Sequence, residues 1–73
     1  MIVSAKPDNG SGHNNGFVCY DERGNRVNSQ YGLWDKVVSA VVNGDKLIVT
    51  TTTTVIYFRI SGNHFTRYNS HSV

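Results

Sequence analysis

The side chains best suited to bond making in this chain are three histidines, a single cysteine and two neighbouring carboxylates. A metal site draws three or four Cys, His or carboxylate ligands from one or two short motifs. His13, His64 and His71 stand far apart in segments rich in Gly, Asn and Ser, so no metal and no other cofactor is expected. Cys19 and His13 are the ingredients of a thiol–imidazole pair. Cys19, however, shares a strand face with Phe17 in an apolar run, where a cysteine behaves as a small buried hydrophobe, and nothing near it would lower its pKa. Asp21 and Glu22 are consecutive turn residues whose carboxylates diverge. The segment GSGHNNG has the glycines of a phosphate-cradling loop but lacks its lysine and the helix that follows. These residues point away from catalysis, and the chain is not expected to be an enzyme.

Aromatic and basic residues carry the remaining binding chemistry. Tyr57 and Arg59 alternate onto one face of a strand, and a following strand would set Tyr68 opposite Tyr57. Arg67 joins that face only if the register slips by one residue. Such a surface stacks bases and neutralises phosphates, as small β-sheet binders of single strands do. The same residue types are also what protein interfaces prefer, and that reading comes first. With a net charge of +2 and seven scattered Lys and Arg, charge alone does not call for a nucleic-acid partner. Tyr31 and Trp34, with Asn28 and Asp35, suggest a sugar-stacking patch; a partly buried Trp34 anchoring the fold is the plainer expectation.

The element that must position these residues is Val37 to Ile60, VVSAVVNGDKLIVTTTTTVIYFRI. Asn-Gly between β-branched runs is a strong hairpin signal, and a loop at Asn43-Gly44 sets Val42 opposite Asp45 and Ala40 opposite Leu47. Simple alternation then gives one face Val38, Ala40, Leu47 and Val49, and the other Val37, Val41 and Ile48 with Ser39 and Thr50. Both faces are apolar, unlike a half-solvated antiparallel strand, so both are expected to meet something. A strand running unbroken through the five threonines, from Lys46 to Ile60, would be about 50 Å long, which favours a turn near Thr52-Thr53. Ser61-Gly62-Asn63-His64 reads as a type II′ turn, with Phe65 opposite Ile60 and Arg67 opposite Phe58. The result is a four-strand meander from about Lys36 to Tyr68.

Upstream, Met1 to Ala5 reads as a short strand, Lys6 to Gly16 as a loop limited by Pro7, and Phe17 to Tyr20 as a strand. A turn over Asp21 to Asn25 follows, with Gly24 in the left-handed position. Asn28 to Asp35 shows no regular pattern, and no helix is expected anywhere. One 73-residue domain with 38% hydrophobic and 16% charged residues lies near the lower limit for a self-sufficient core. A lone cysteine supplies no internal disulfide, which leaves oligomerisation as the natural further source of stability. There is no apolar run of membrane-spanning length and no signal-peptide pattern, so a cytoplasmic protein without a membrane partner is expected.

The run WDKVVSAVVNGDKLIVTTTTTVIYFRISG resembles one blade of a β-propeller, and IVSAK followed by GFVCYDERGNRV is similar to part of another. The WD-type dipeptide of a blade end is missing, and a Gly-rich loop stands where a strand should be. The resemblance implies a fold and several assembled copies, without implying a function. Taken together, the sequence predicts an all-β fold. It is a small antiparallel meander, blade-like or a partly open barrel, completed by oligomerisation. The expected function is a homo-oligomeric assembly or protein-binding module with Val37, Val41, Ile48 and Tyr57 at the interface. The alternatives are a nucleic-acid binder using Tyr57, Arg59 and Tyr68 with Arg67, and a carbohydrate module using Tyr31 and Trp34.

Overall fold

A computed structural model describes residues 1–11 and 14–73, and it is all-β. Its strands are β1 (Ser4–Asn9), β2 (Asn15–Tyr20), β3 (Arg26–Leu33), β4 (Val37–Asn43), β5 (Lys46–Thr51), β6 (Thr54–Ser61) and β7 (His64–Ser72). They form two antiparallel sheets, β1-β2-β3 and β4-β5-β6-β7, and neither closes into a barrel. The expected loop over Lys6 to Gly16 shortens, because β1 runs through Pro7 to Asn9 and β2 begins at Asn15. Pro7 is tolerated there because β1 is an edge of its sheet, where a missing N–H breaks no ladder. The stretch Asn28 to Asp35, which shows no regular pattern, is mostly strand: its polar residues pair through their backbones, and bulges interrupt whatever alternation would have announced it. His13, the potential partner of Cys19, lies outside the described residues.

The second sheet carries the meander legible in the sequence, with the turns at Thr52-Thr53 and Gly62-Asn63 in place. Its first turn is displaced by one residue. Asn43 pairs with Lys46, so Gly44 and Asp45 form the loop, and Val42 faces Leu47 instead of Asp45. Gly44 alone of the two takes a positive φ, 64°, which suits a type II′ turn with glycine first and leaves Asn43 extended in the strand. The Thr52-Thr53 turn is held by Thr51, which is buried. Its hydroxyl accepts the Thr53 and Thr54 N–H groups at 3.2 and 3.0 Å and donates to the Thr54 carbonyl.

A bulge redistributes the faces of β4. Val37 pairs with Thr51 and Ser39 with Thr50, so Val38 is an extra residue in the ladder and parity flips across it. Val37 therefore turns into the core, at 2% exposure, and Val38 turns out, at 61%. This corrects the placing of Val37 beside Val41 and Ile48 on an interface face. Ala40, Leu47 and Val49 do share the inner face.

That inner face is covered from within the chain. Phe17 and Cys19 of β2 pack into one cluster with Leu47, Val49, Ile56, Phe58 and Ile60. The Phe17 ring centroid lies 5.5 Å from that of Phe58 and 5.4 Å from that of Phe65. Of the two apolar faces expected to need cover, one is satisfied by the first sheet. The radius of gyration, 11.3 Å, matches the ~11 Å of a compact chain of this length.

The two sheets are stitched by a side chain imitating a strand. The Asn9 carboxamide donates to the Val37 carbonyl at 3.0 Å and accepts the Val37 N–H at 2.9 Å, completing both halves of a β-bridge between β1 and β4. Asn9→Ala leaves both Val37 groups unpaired and is expected to cost about 1–3 kcal/mol in urea unfolding. A loss below roughly 0.5 kcal/mol would mean that water replaces the bridge at no cost.

Candidate functional site

With the inner face filled, the outer face of the β4–β7 sheet presents what remains of the apolar surface. The cross-strand row Val41, Ile48 and Tyr57 runs over its middle. Val41 is 53% exposed, Tyr68 is 45% exposed, and Ile48 and Tyr57 are half-buried. Val38 extends the patch at the bulge. Three of the four expected interface residues, Val41, Ile48 and Tyr57, thus share one surface.

The aromatic and basic residues gather on the same face. Arg59 lies over the Tyr68 ring, 5.3 Å from its centroid, and Lys46 stands across the ladder from Arg59. The Tyr57 ring sits 6.3 Å from Tyr68 and 5.5 Å from His71, whose Nε2 is 2.9 Å from the Tyr57 hydroxyl oxygen. Tyr68 reaches this face through a second bulge, between the pairs Tyr57–Asn69 and Phe58–Arg67, so it flanks Tyr57 without standing directly opposite. Arg67 does not join, because it pairs with Phe58 and so belongs to the other face of β7.

Arg67 instead lines an open cleft of about 190 Å³ with Leu33, Trp34, Asp35, Thr51, Thr54 and Ile56. This cleft was not foreseen, although the Phe58–Arg67 register alone already placed Arg67 on this side. Trp34 is 76% exposed and not the partly buried anchor expected of it. Its backbone is fixed all the same: the carboxamide of Asn15, itself buried, donates to the Leu33 and Trp34 carbonyls at 3.3 and 3.2 Å. The indole is displayed from a held position because the strand ends there and β4 begins only at Val37.

Tyr31 and Asn28 do not join Trp34. Tyr31 lies across Gly16, where a Cβ would sit 2.0 Å from the Gln30 carbonyl oxygen and 2.7 Å from the tyrosine ring. Its hydroxyl donates to Asp8, and that bond, with some desolvation, raises the Tyr31 pKa above its ordinary value. The Asn28 carboxamide is engaged by the Asn63 carbonyl at 2.8 Å. The patch read from Tyr31, Trp34, Asn28 and Asp35 therefore divides, leaving Trp34 and Asp35 together.

Cys19 is fully buried, and burial pushes its thiol up to about 11, the opposite of what a nucleophile requires. Among the described residues, no group of three or more His, Cys, Asp and Glu is placed to hold a metal ion. Among them too, no helix is long and apolar enough to cross a membrane. No protein-family model, curated protein or solved structure matches the chain. The likeness to a propeller blade thus has no neighbour behind it, and the chain's own β2 occupies the face that a second blade would cover.

Proposed function

We propose that this chain is a non-enzymatic binding module that works as a symmetric homo-oligomer, copies meeting through the outer face of the β4–β7 sheet. One observation carries the reading: Val41, Ile48, Tyr57 and Tyr68 form a continuous apolar and aromatic surface on a domain whose other apolar face is already filled. A second copy suits this surface better than edge pairing does. The open edge β7 is interrupted by the bulge at Tyr68 and carries His64, Arg67 and His71, features that discourage strand addition. Face-to-face packing with strand direction reversed sets the Lys46–Arg59 end of one copy over the neutral Ser39–Thr50 end of the other, keeping the cations apart. The lone buried thiol suits the reducing cytoplasm, where we place the protein.

Single-stranded nucleic acid is the second reading, favoured by Lys46 and Arg59 beside two tyrosines on a face whose described residues include no carboxylate. It ranks lower because Arg59 already covers one side of the Tyr68 ring and His71 engages Tyr57, which leaves little open ring for bases. Amide NMR separates the two. On concentrating the protein alone, the shifts expected to move are those of Val41, Ile48 and Tyr57. Adding a single-stranded oligonucleotide at low salt should change little further. Shifts that ignore protein concentration but saturate with oligonucleotide, and are lost in Arg59→Ala, would replace assembly with the second reading.

A further inference from the structure

The cleft beneath Trp34 belongs to neither surface of the proposed assembly, and its lining has a chemistry of its own. Its lining combines two aliphatic residues, Leu33 and Ile56, with one aromatic residue, Trp34, which is 76% exposed. Asp35 and Arg67 stand at the same cleft, and among the described residues no ion pair within 4.0 Å joins them. Each keeps hydrogen-bonding capacity. Asp35 Oδ2 accepts the Thr53 hydroxyl at 2.5 Å, which leaves Oδ1. Arg67 Nη2 donates to Ser70 Oγ at 2.6 Å, which leaves the rest of the guanidinium fork. The Thr51 hydroxyl is occupied: its Oγ1 makes three bonds within its own turn. The polar contacts on offer are thus one planar acceptor and one planar donor in the cleft that Trp34 also lines.

From this set we infer that the cleft is a binding site for a single neutral sugar ring, a pyranose or the terminal unit of a glycan. A pyranose has an apolar face of C–H groups and a rim of hydroxyls that both donate and accept. The face matches the indole and the two aliphatic side chains. The rim matches a carboxylate acceptor and a guanidinium donor, whose charge-assisted bonds are the strong ones. A volume of about 190 Å³ lies below the range of drug-sized pockets and admits one ring, not a chain of them. The hold of Asn15 on the Leu33 and Trp34 carbonyls means that the indole's backbone need not be ordered on binding. Openness to solvent makes the interaction weak, with a Kd of about 1 mM or above.

Trp34 is the only tryptophan, so fluorescence excited selectively in tryptophan, past the absorption of the four tyrosines, reports on this cleft. Titration of the full chain with glucose, galactose, mannose and N-acetylglucosamine is expected to give a saturable change for at least one of them. Amide shifts should be confined to the β3–β4 connection, the Thr51–Thr54 turn and Arg67. Arg67→Gln and Asp35→Asn should each raise Kd about tenfold. Their circular dichroism should be unchanged, and Arg67→Gln leaves the threonine turn untouched. No saturable response to any of the sugars up to about 100 mM overturns the inference. So does saturation by a zwitterionic amino acid but by no sugar, which would assign the Asp35–Arg67 pair to charge recognition. Sugar binding that survives both substitutions would place it elsewhere. None of these outcomes depends on the outer face of the β4–β7 sheet, so assembly and sugar binding stand or fall separately.

Discussion

Phe17→Ala is expected to remove a large share of the chain's folding stability at 25 °C. Phe17 has 0% exposure and is the residue through which the first sheet enters the second, its ring touching those of Phe58 and Phe65. Removing a buried Phe costs about 3–5 kcal/mol through lost transfer energy and the cavity left behind. A domain of this length has only roughly 4–11 kcal/mol in total. Leu47 and Val49 cannot collapse into the gap, because both are held in the β5 ladder between β4 and β6. Far-UV circular dichroism with urea titration reads the effect directly. A loss under about 1 kcal/mol would mean that the β1–β3 layer adds little to the inner face.

Val41→Glu is expected to abolish assembly and leave the fold intact. In the isolated chain Val41 is 53% exposed at the middle of the outer face, so a glutamate there is solvated and changes stability by no more than about 0.5 kcal/mol. In a symmetric pair the same position is central and occurs twice, so two carboxylates lose water with no partner for either. The face measures roughly 20 × 20 Å from strand spacing and rise, at the small end for a stable interface, so wild-type affinity should be micromolar. A weakening of about a hundredfold or more then leaves only monomer at practical concentrations.

The meander from β4 to β7 was legible because each of its signals is local. Gly44 and Gly62 mark their turns by a positive φ, although the first loop falls on Gly44-Asp45 and not on Asn43-Gly44, and Ile56, Phe58 and Ile60 alternate without a break. What escaped was the effect of single inserted residues. A bulge at Val38 carries no sequence mark, yet it exchanges the destinations of Val37 and Val38, and the bulge at Tyr68 offsets that ring from Tyr57 in the same way. β3 escaped for a different reason: its half-buried polar residues, Asn28 and Gln30, are satisfied by pairing and packing that alternation of hydrophobicity does not encode. The cleft depends on both failures at once. It needs the end of β3 to place Trp34 and Asp35, and the true β7 register to place Arg67, so no single stretch of sequence contains it.

Sedimentation equilibrium of the wild-type chain beside Val41→Glu tests the central claim most directly, over about 10 to 500 µM at moderate salt. The wild type should pass from 8.1 kDa toward twice that mass or a higher closed multiple, while the variant remains at 8.1 kDa throughout. A wild-type mass fixed at 8.1 kDa across the whole range, or a variant that assembles as well as the wild type, would contradict the account.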